Sequence, residues 1–507
     1  FRAIVVPQTV KAGKELFDIT VGKTPYIFKK EVDFSYTPGK MHRFTITVNK
    51  KSDSGDYEFK LTGEEIADWE ADLASHESEM KEYIVIHVEE PGTLDACLKQ
   101  ANKNYAEVQN LKLTGKIDKR DFDFMKNQMT RLQALNLKEV RIKKWEDGIN
   151  VYNEDEIPGS AMSNNKSLTR IILPDTLRSI GGSAFLESML SGSLIIPEGV
   201  VTINGNAFSG CSALNGKLSL PSTLEKIEAT AFNKCPFSGE LVLPPSVKKI
   251  GNIAFSETNF SGNFILPEEL EVIEFWAFKF CHFSGGLKIP HKIKVIPSSL
   301  FANGTFDGTL ILPEGLERIE DEAFYMNEFC GELKLPANLT YIGQVAFEGN
   351  NFSGELILPS KLISIGNSAF YNCDKLSGTL TFPKEMVAIP NDCFSGCSSL
   401  EKLIFPENIE SIQTNAFSGC SGIRSIVCEA LIPPYVAPGA FDGVPKDKFV
   451  LEVPELALAA YQTAPGWSEF KQIGVHHELI CQPSAVKTLN KDCLLYTSPS
   501  PRDPKTS

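Results

Sequence analysis

The sequence has no run of 18 or more apolar residues, so no segment has the length and apolarity of a membrane-crossing helix. Basic residues are in the minority: 50 Lys and Arg against 64 Asp and Glu leave a formal charge of -14. That balance argues against a nucleic-acid backbone or an anionic membrane as the main partner, and thin basic spots such as Lys292 and Lys294 do not reverse it. Histidine is scarce, with seven in all and no HExxH motif, and adjacent His476 and His477 have no acidic residues at a metal-building spacing. The recurring Ser-Gly pairs, among them Ser191-Gly192, Ser261-Gly262 and Ser353-Gly354, never lead into the Lys-Ser/Thr ending of a phosphate loop, which leaves them as turns. No serine stands in a recognisable motif with His and Asp. These absences point to a protein that is not an enzyme and carries no cofactor or metal. The chain begins with Phe1 rather than Met, so a missing export leader says nothing about compartment.

What the sequence does have is repetition. ILPEGLERIEDEAF at 311–324 returns as ILPSKLISIGNSAF at 357–370. An aromatic slot recurs every 23 or 24 residues through Phe185, Phe208, Phe232, Phe255, Phe278, Phe301, Phe324, Phe347, Phe370, Phe394, Phe417 and Phe441, with Met162 in the same slot one period earlier. A proline slot keeps the same beat from Pro174 to Pro406. A period in the low twenties with recurrent leucines marks a solenoid of short coils. The expected architecture is a leucine-rich repeat solenoid of 23–24 residue coils, β-rich and stacked right-handed, preceded by a small β-rich domain.

Each coil divides by its residue pattern. Alternating apolar residues such as Leu310 and Leu312 have the period of a short strand, and Pro313, which has no N–H to donate, closes it. Leu316 and Ile319 return the chain to the core, and Ala323-Phe324 fills the far side. Equivalent side chains of stacked coils lie about 4.8 Å apart, so each Phe is expected to lie on the Phe of its neighbour.

Residues 1–90 read as a separate β-rich module. MHRFTITV and YEFKLTG alternate around a turn at Gly55, EEIADWEADLASHE reads as a short helix or polar loop, and YIVIHV is a more continuous strand. Residues 91–160 begin with a capping helix in TLDACLKQANKNY, with Thr93 as N-cap and Leu94, Cys97, Leu98 and Ala101 on its apolar side, followed by irregular leading coils. The regular array occupies 161–448, and 449–475 is expected as a terminal cap burying Trp467 and Phe470. Residues 476–507 form a tail, of which LLYTSPSPRDPKTS at 494–507 resembles an appended translation artefact.

Six cysteines, Cys211, Cys235, Cys281, Cys373, Cys397 and Cys420, fall three residues after the aromatic slot. Neighbouring coils hold β-carbons farther apart than the disulfide mean of about 3.8 Å, which favours a column of buried thiols over cross-coil bridges. The CFSGC spacing of Cys393 and Cys397 lacks the second ligand pair a zinc site needs. Carboxylates such as Glu320-Asp321-Glu322 recur where a solvated face explains them without a glycosidase pair. One coil departs from the rest: IEFWAFKF brings Phe275, Trp276 and Phe280 into positions that other coils fill with small or polar residues. Either they pack locally against a neighbouring coil, or with Tyr325, Tyr341 and Tyr371 they form an exposed aromatic surface for protein or glycan recognition.

The copies typified by GNSAFYNCDKLSGTLTFPKEMVAIP resemble the Bacteroides surface-antigen (BspA) type of leucine-rich repeat, over about residues 110–475 including the closing VPELALAAYQTAPGWSEFKQI. FRAIVVPQTV, YTPGKMHRFTITVNK and GDYEFKLTG are similar to fimbrillin-like modules of Bacteroidales surface proteins. The resemblance implies a secreted or outer-surface protein of a gut or oral anaerobe that adheres to or recognises macromolecules, with lipid anchoring upstream of Phe1 as a usual mode. No lipobox cysteine stands near Phe1. The partner class is a host or bacterial surface protein or glycan. A structural role in a fimbrial or surface layer, with self-association through the N-terminal module, is the alternative; a carbohydrate-active enzyme comes third.

Overall fold

The computed structural model describes residues 83–476 and, between Thr9 and Asp68, the backbone of six strands. The chain divides into two compact units, Phe1–Val85 with Asn110–Lys112, and the remainder. In the first, antiparallel pairs join Thr9–Val10 to Phe34–Ser35, Glu15–Val21 to Thr24–Lys29, and Lys40–Lys50 to Tyr57–Asp68. The last pair corrects the helix-or-loop expectation for its part of EEIADWEADLASHE. Glu64–Asp68 continue the strand because Met41–Phe44 extend opposite them as a ready hydrogen-bonding partner. Gly55 and residues 477–507, with the proposed artefact at 494–507, lie outside the described residues.

The second unit is a β-solenoid of about seventeen turns. Its first sheet has the order Arg170–Ile172, Ala134–Ile142, then the parts of Asn110–Ile117 from Leu113 on and of Ile84–Val88 from Ile86 on. Two helices accompany it, α1 (Leu94–Gln100) and α2 (Lys119–Gln128). Thr93 does not cap α1: its hydroxyl donates to Glu90 O. The cap comes from α2 instead, where the buried Asp121 carboxylate accepts from the N–H groups of Gly92, Leu94 and Asp118. One side chain thus satisfies donors at two helix starts, a role that a short Thr side chain could not reach. Ala101, expected on the apolar side, lies exposed just past the last turn. α2 interrupts the leading coils, and Asp118 with Asp121 three residues on, then Phe122 and Met125, carries its helix signal.

In the regular coils the most continuous ladder is not the strand before the proline. It is the residue pair ending in the Ile slot: Glu156–Ile157, Ser179–Ile180, Thr202–Ile203, Lys226–Ile227, Lys249–Ile250 and Val272–Ile273 form one parallel six-stranded sheet. A four-stranded sheet continues it from Val295–Ile296 to Ser364–Ile365, and a three-stranded one from Ala388–Ile389 to Tyr435–Val436. The breaks have a cause in the sequence. The N–H after each Ile normally donates to the Ile carbonyl one coil earlier, as Gly251 does to Ile227 and Gly343 to Ile319. Pro297 and Pro390 occupy that slot at the two breaks and have no N–H to give. The pre-proline segments pair too, as short strands such as Leu287–Lys288 with Leu310–Ile311 and, in the last coils, as the longer Leu376–Thr381, Leu400–Phe405 and Ser425–Cys428 of a second six-stranded sheet.

The core is an aromatic column. Rings from Phe185 to Phe441 stack in sequence with centroid separations from 5.1 Å (Phe185–Phe208) to 6.1 Å (Phe301–Phe324). The rings stay near parallel, as at 3° for Phe255 and Phe278, an offset-stacked arrangement that the ring quadrupole favours. A second column, with Phe237 and Phe260 at 5.8 Å and Phe306 and Phe329 at 5.2 Å, meets the first edge-on. Each Phe of the main column donates its N–H to the Ala-slot carbonyl of the next coil, as Phe208 does to Ala231 and Phe324 to Ala346. In residues 449–475, Trp467 packs against Phe441 at 5.6 Å and Phe405 at 6.4 Å, and its indole N–H donates to Pro434 O. The chain also adds strands Val450–Val453 and Gln472–Val475 to the last sheet while α3 (Leu458–Thr463) lies beside them.

The cysteine column has a role beyond filling space. Each thiol donates to the carbonyl of the Phe one coil earlier: Cys211 to Phe185 O at 3.0 Å, Cys281 to Phe255 O at 3.2 Å, Cys420 to Phe394 O at 3.1 Å. Asn327 and Asn350 take the same slot and donate to Phe301 O and Phe324 O. The position calls for a small buried donor, which explains why thiol and carboxamide alternate there. All ten described cysteines are unpaired.

Two measurements follow. Phe255→Ala is expected to lower unfolding free energy by about 3–5 kcal/mol in urea denaturation, because it leaves a cavity that neighbouring coils cannot close. Burial pushes the Cys281, Cys373 and Cys420 thiols up to about 12 from an ordinary 9.0. Folding therefore favours the protonated thiols, and their stabilisation is complete below pH 9 and falls as pH rises from about 9 toward 12. Urea midpoints across that range should decline, and less steeply in Cys281→Asn, which keeps a non-titrating donor.

Candidate functional site

The site lies on the turns that flank the aromatic column. Backbone hydrogen bonds link every second residue of these turns to the next coil: Trp276 to Ser298 O, Phe278 to Leu300 O, Phe280 to Ala302 O. To present N–H groups at that spacing, the residues two before and two after each Phe adopt left-handed conformations. Most coils fill these positions with residues that tolerate them, such as Asn206, Ser183, Asn303 and Asn372. Trp276 and Phe280 stand there with φ of 60° and 62°. A large ring at positive φ costs on the order of 1–2 kcal/mol relative to Gly or Asn.

Burial offsets that cost only in part, since the rings are not fully covered. Phe275, Trp276 and Phe280 keep 46%, 41% and 44% of their surface exposed. Phe275 meets Trp276 edge-on at 6.2 Å. The Lys279 ammonium lies 4.8 Å from the Trp276 ring centre and 5.5 Å from that of Phe280, and is fixed by Glu322 at 3.2 Å. Glu322 also accepts from the Ser299 hydroxyl at 2.8 Å. That hydrogen bond first, and Lys279 after it, hold the Glu322 carboxyl below its ordinary range against partial burial. Lys279 thus orders the two rings while leaving much of them in solvent.

Of the other expected aromatics, Tyr325 stands on the same turn as these residues, whereas Tyr341 stands on the neighbouring strand and meets the turn only at Asp321. Tyr325 occupies the Lys279 slot two coils on, and its phenol is raised by burial first and then by Glu348 and Glu322. Tyr371 repeats the same slot two coils further along. Tyr341 sits in the Ile-slot strand Tyr341–Ile342, with the Arg318 guanidinium 4.2 Å from its ring centre and its hydroxyl 3.4 Å from Asp321 Oδ1. The expectation that the three tyrosines share comparable faces therefore needs correction: Tyr341 falls six residues before its Phe, the other two one after. Sequence reasoning named Glu322 only within the Glu320-Asp321-Glu322 run and did not single out Lys279 or Met326; Met326 is 48% exposed in the same slot as Phe280. Lys279 lies inside the IEFWAFKF segment, and slot-by-slot alignment of the coils exposes all three.

Two surface depressions occur elsewhere. One of about 120 Å³ is lined by Asn263, Phe264, Ile265, Leu266, Glu268, Gly286 and Lys288. A broader trough of about 570 Å³ is lined by Gln109, Thr130, Arg131, Gln133, Lys166, Ser167 and Thr169. Neither brings together a nucleophile and a base. Among the described residues no group of three or more His, Cys, Asp or Glu is arranged to hold a metal ion, and no helix is long and apolar enough to cross a membrane.

A stack of short leucine-rich coils with a local aromatic departure on its turn face defines a repeat scaffold of the β-solenoid class. The BspA type leucine rich repeat region matches the sequence in six copies over residues 155–283, 215–330 and 317–442, more than half of the chain, and the chain belongs to that family. No functionally curated protein matches it. Similar solved structures include a leucine-rich repeat protein from Bacteroides ovatus, 20% identical over 68% of this chain and 92% of that one, with a TM-score of 0.41. A leucine rich cell surface protein from Faecalibacterium prausnitzii is 20% identical over 61% and 85%, at 0.29. The pneumococcal vaccine antigen PcpA is 17% identical over 73% and 80%, at 0.35.

Trp276→Asn relieves about 1–2 kcal/mol of left-handed strain and gives up the ring's partial burial and its cation–π contact, so a thermal midpoint close to that of the parent protein is expected. A thermal melt checks this: a dominant packing role for Trp276 would lower the midpoint by many degrees.

Proposed function

We propose that this protein is a non-catalytic recognition protein acting outside the cell or on its outer surface, with the solenoid as platform and the Phe275, Trp276, Phe280 and Tyr325 face as a contact surface. Adhesion to a host or bacterial surface macromolecule is the function this supports best. The observation that carries it is the clustering of three large, substantially exposed rings in one coil, at positions that other coils fill mostly with small or polar residues. An exposed aromatic patch of this kind suits contact with another molecule. Family membership and the regular, uninterrupted core of the coils add to the reading, since neither supplies the convergent acid, base and nucleophile that a hydrolase needs.

For the N-terminal unit we propose a fimbrillin-like spacer, on the strength of its sequence resemblance and its antiparallel strand pairs. A structural role in a surface assembly would work through this unit. Binding of the full chain to a panel of host matrix proteins, mucins and glycans tests the main reading. At least one saturable interaction is expected, lost in Trp276→Asn; no binding together with ordered self-assembly would put the structural role first.

A further inference from the structure

The charges around the aromatic cluster restrict what it can receive. Along the turn face from Phe275 to Glu348, Glu320 pairs with Arg318 at 2.8 Å and Glu322 with Lys279 at 3.2 Å. Asp321 and Glu348 have no cation among the described ion pairs. Asp321 is exposed and accepts only neutral donors, the Gln344 N–H at 2.7 Å and the Tyr341 hydroxyl. Glu348 sits in the Lys279 and Tyr325 slot, half-buried, with its carboxyl pushed up by burial and then by Asp392. Asp321 shares its slot with Phe275, two coils away. The face therefore has an aromatic end, already shaped around an ammonium, and an acidic end with carboxylates lacking counter-charge. At about 4.8 Å per coil the two ends are roughly 10–15 Å apart, a distance that about three or four residues of extended chain cover.

We propose, building on the recognition role above, that this face docks an extended arginine-bearing polypeptide segment, one guanidinium stacking on Trp276 and Phe280 and a second, three or four residues away, meeting Asp321 and Glu348. Guanidinium fits better than ammonium at the aromatic end because it is planar and weakly hydrated, and stacks on rings while still donating to carboxylates. An acidic glycan meets like charge along the same face. Lys279 stays in place as the internal cation that keeps the two rings apart.

The test uses the full chain and a fluorescently labelled twelve-residue peptide of alternating Arg and Gly, with Lys-Gly and Glu-Gly peptides and neutral and sialylated glycans as comparators. Anisotropy titration should show the Arg-Gly peptide binding tighter than Lys-Gly, with no binding of Glu-Gly. Trp276→Asn should weaken it about tenfold or more, as expected for a desolvated cation–π contact. Asp321→Asn should weaken it several-fold and flatten its salt dependence. Because Trp276→Asn leaves the net charge unchanged, equal binding by that variant would mean non-specific attraction to an acidic protein and would overturn the proposal. Binding of a neutral or sialylated glycan, abolished by Trp276→Asn while the Arg-Gly peptide fails to bind, would overturn the cationic partner and leave the recognition role standing. If the Arg-Gly peptide and every macromolecule in the panel fail to bind, both fall together.

Discussion

The hydrogen bond from each aromatic-slot N–H to the Ala-slot carbonyl of the following coil sets the spacing on which the rest of the array depends. With successive coils tied at one backbone separation, identical residues fall one above another, and every position becomes a column. A ring in one coil must then lie on a ring in the next, hence the unbroken Phe185 to Phe441 stack. The carbonyl of most of these Phe residues, turned inward, takes a small donor from the next coil, such as Cys281 or Asn327. The turn residues on either side of the Phe must be left-handed for the same ladder to form. One constraint thus accounts for the Phe, the Cys and Asn column, and the preference for Asn and Ser at the turns.

Columns also determine where the chain is free. Outward positions on the turn face and in the Ile-slot strand are not held to a residue type, and charge pairs such as Lys249 with Glu228 and Arg318 with Glu320 occupy them. The turn slots also take Thr230, Ile253 and Val345 at positive φ, but the coil of Phe275, Trp276 and Phe280 is the one that groups large rings there, next to Pro297, where the Ile-slot sheet is interrupted. The scaffold absorbs both departures because coils before and after keep the ladder intact through Phe255 and Phe301.

Much of this was legible in the sequence, because a period repeated so many times makes each position's role visible. The solenoid, the Phe stack and the buried thiols follow from spacing alone. What was misread depends on contacts between segments that a repeat pattern does not encode. The expected short strands before the prolines are present, but the two-residue ladder at the Ile slot was not foreseen, and Pro297 and Pro390 mark its two breaks because they have no N–H to give. The α1 cap is supplied by Asp121 from a different helix, which no local motif at Thr93 reveals. Tyr341 was grouped with Tyr325 and Tyr371 by residue type, whereas its slot number already placed it on the strand. The exposure of the Trp276 cluster could not be read from one coil, because whether the next coil covers it depends on Ser298 and Ser299, small residues that leave the rings open.

The account rests on a division of labour: the Phe ladder holds the array together and the Trp276 cluster can be removed without loosening it. Amide hydrogen exchange followed at the Phe-slot N–H groups in Phe278→Ala and in Trp276→Asn tests that division in one experiment. Phe278→Ala should accelerate exchange at Phe255 and Phe301 as well as in its own coil, while Trp276→Asn leaves protection at all of them unchanged or greater. Faster exchange across neighbouring coils in Trp276→Asn, or a loss confined to one coil in Phe278→Ala, would contradict it.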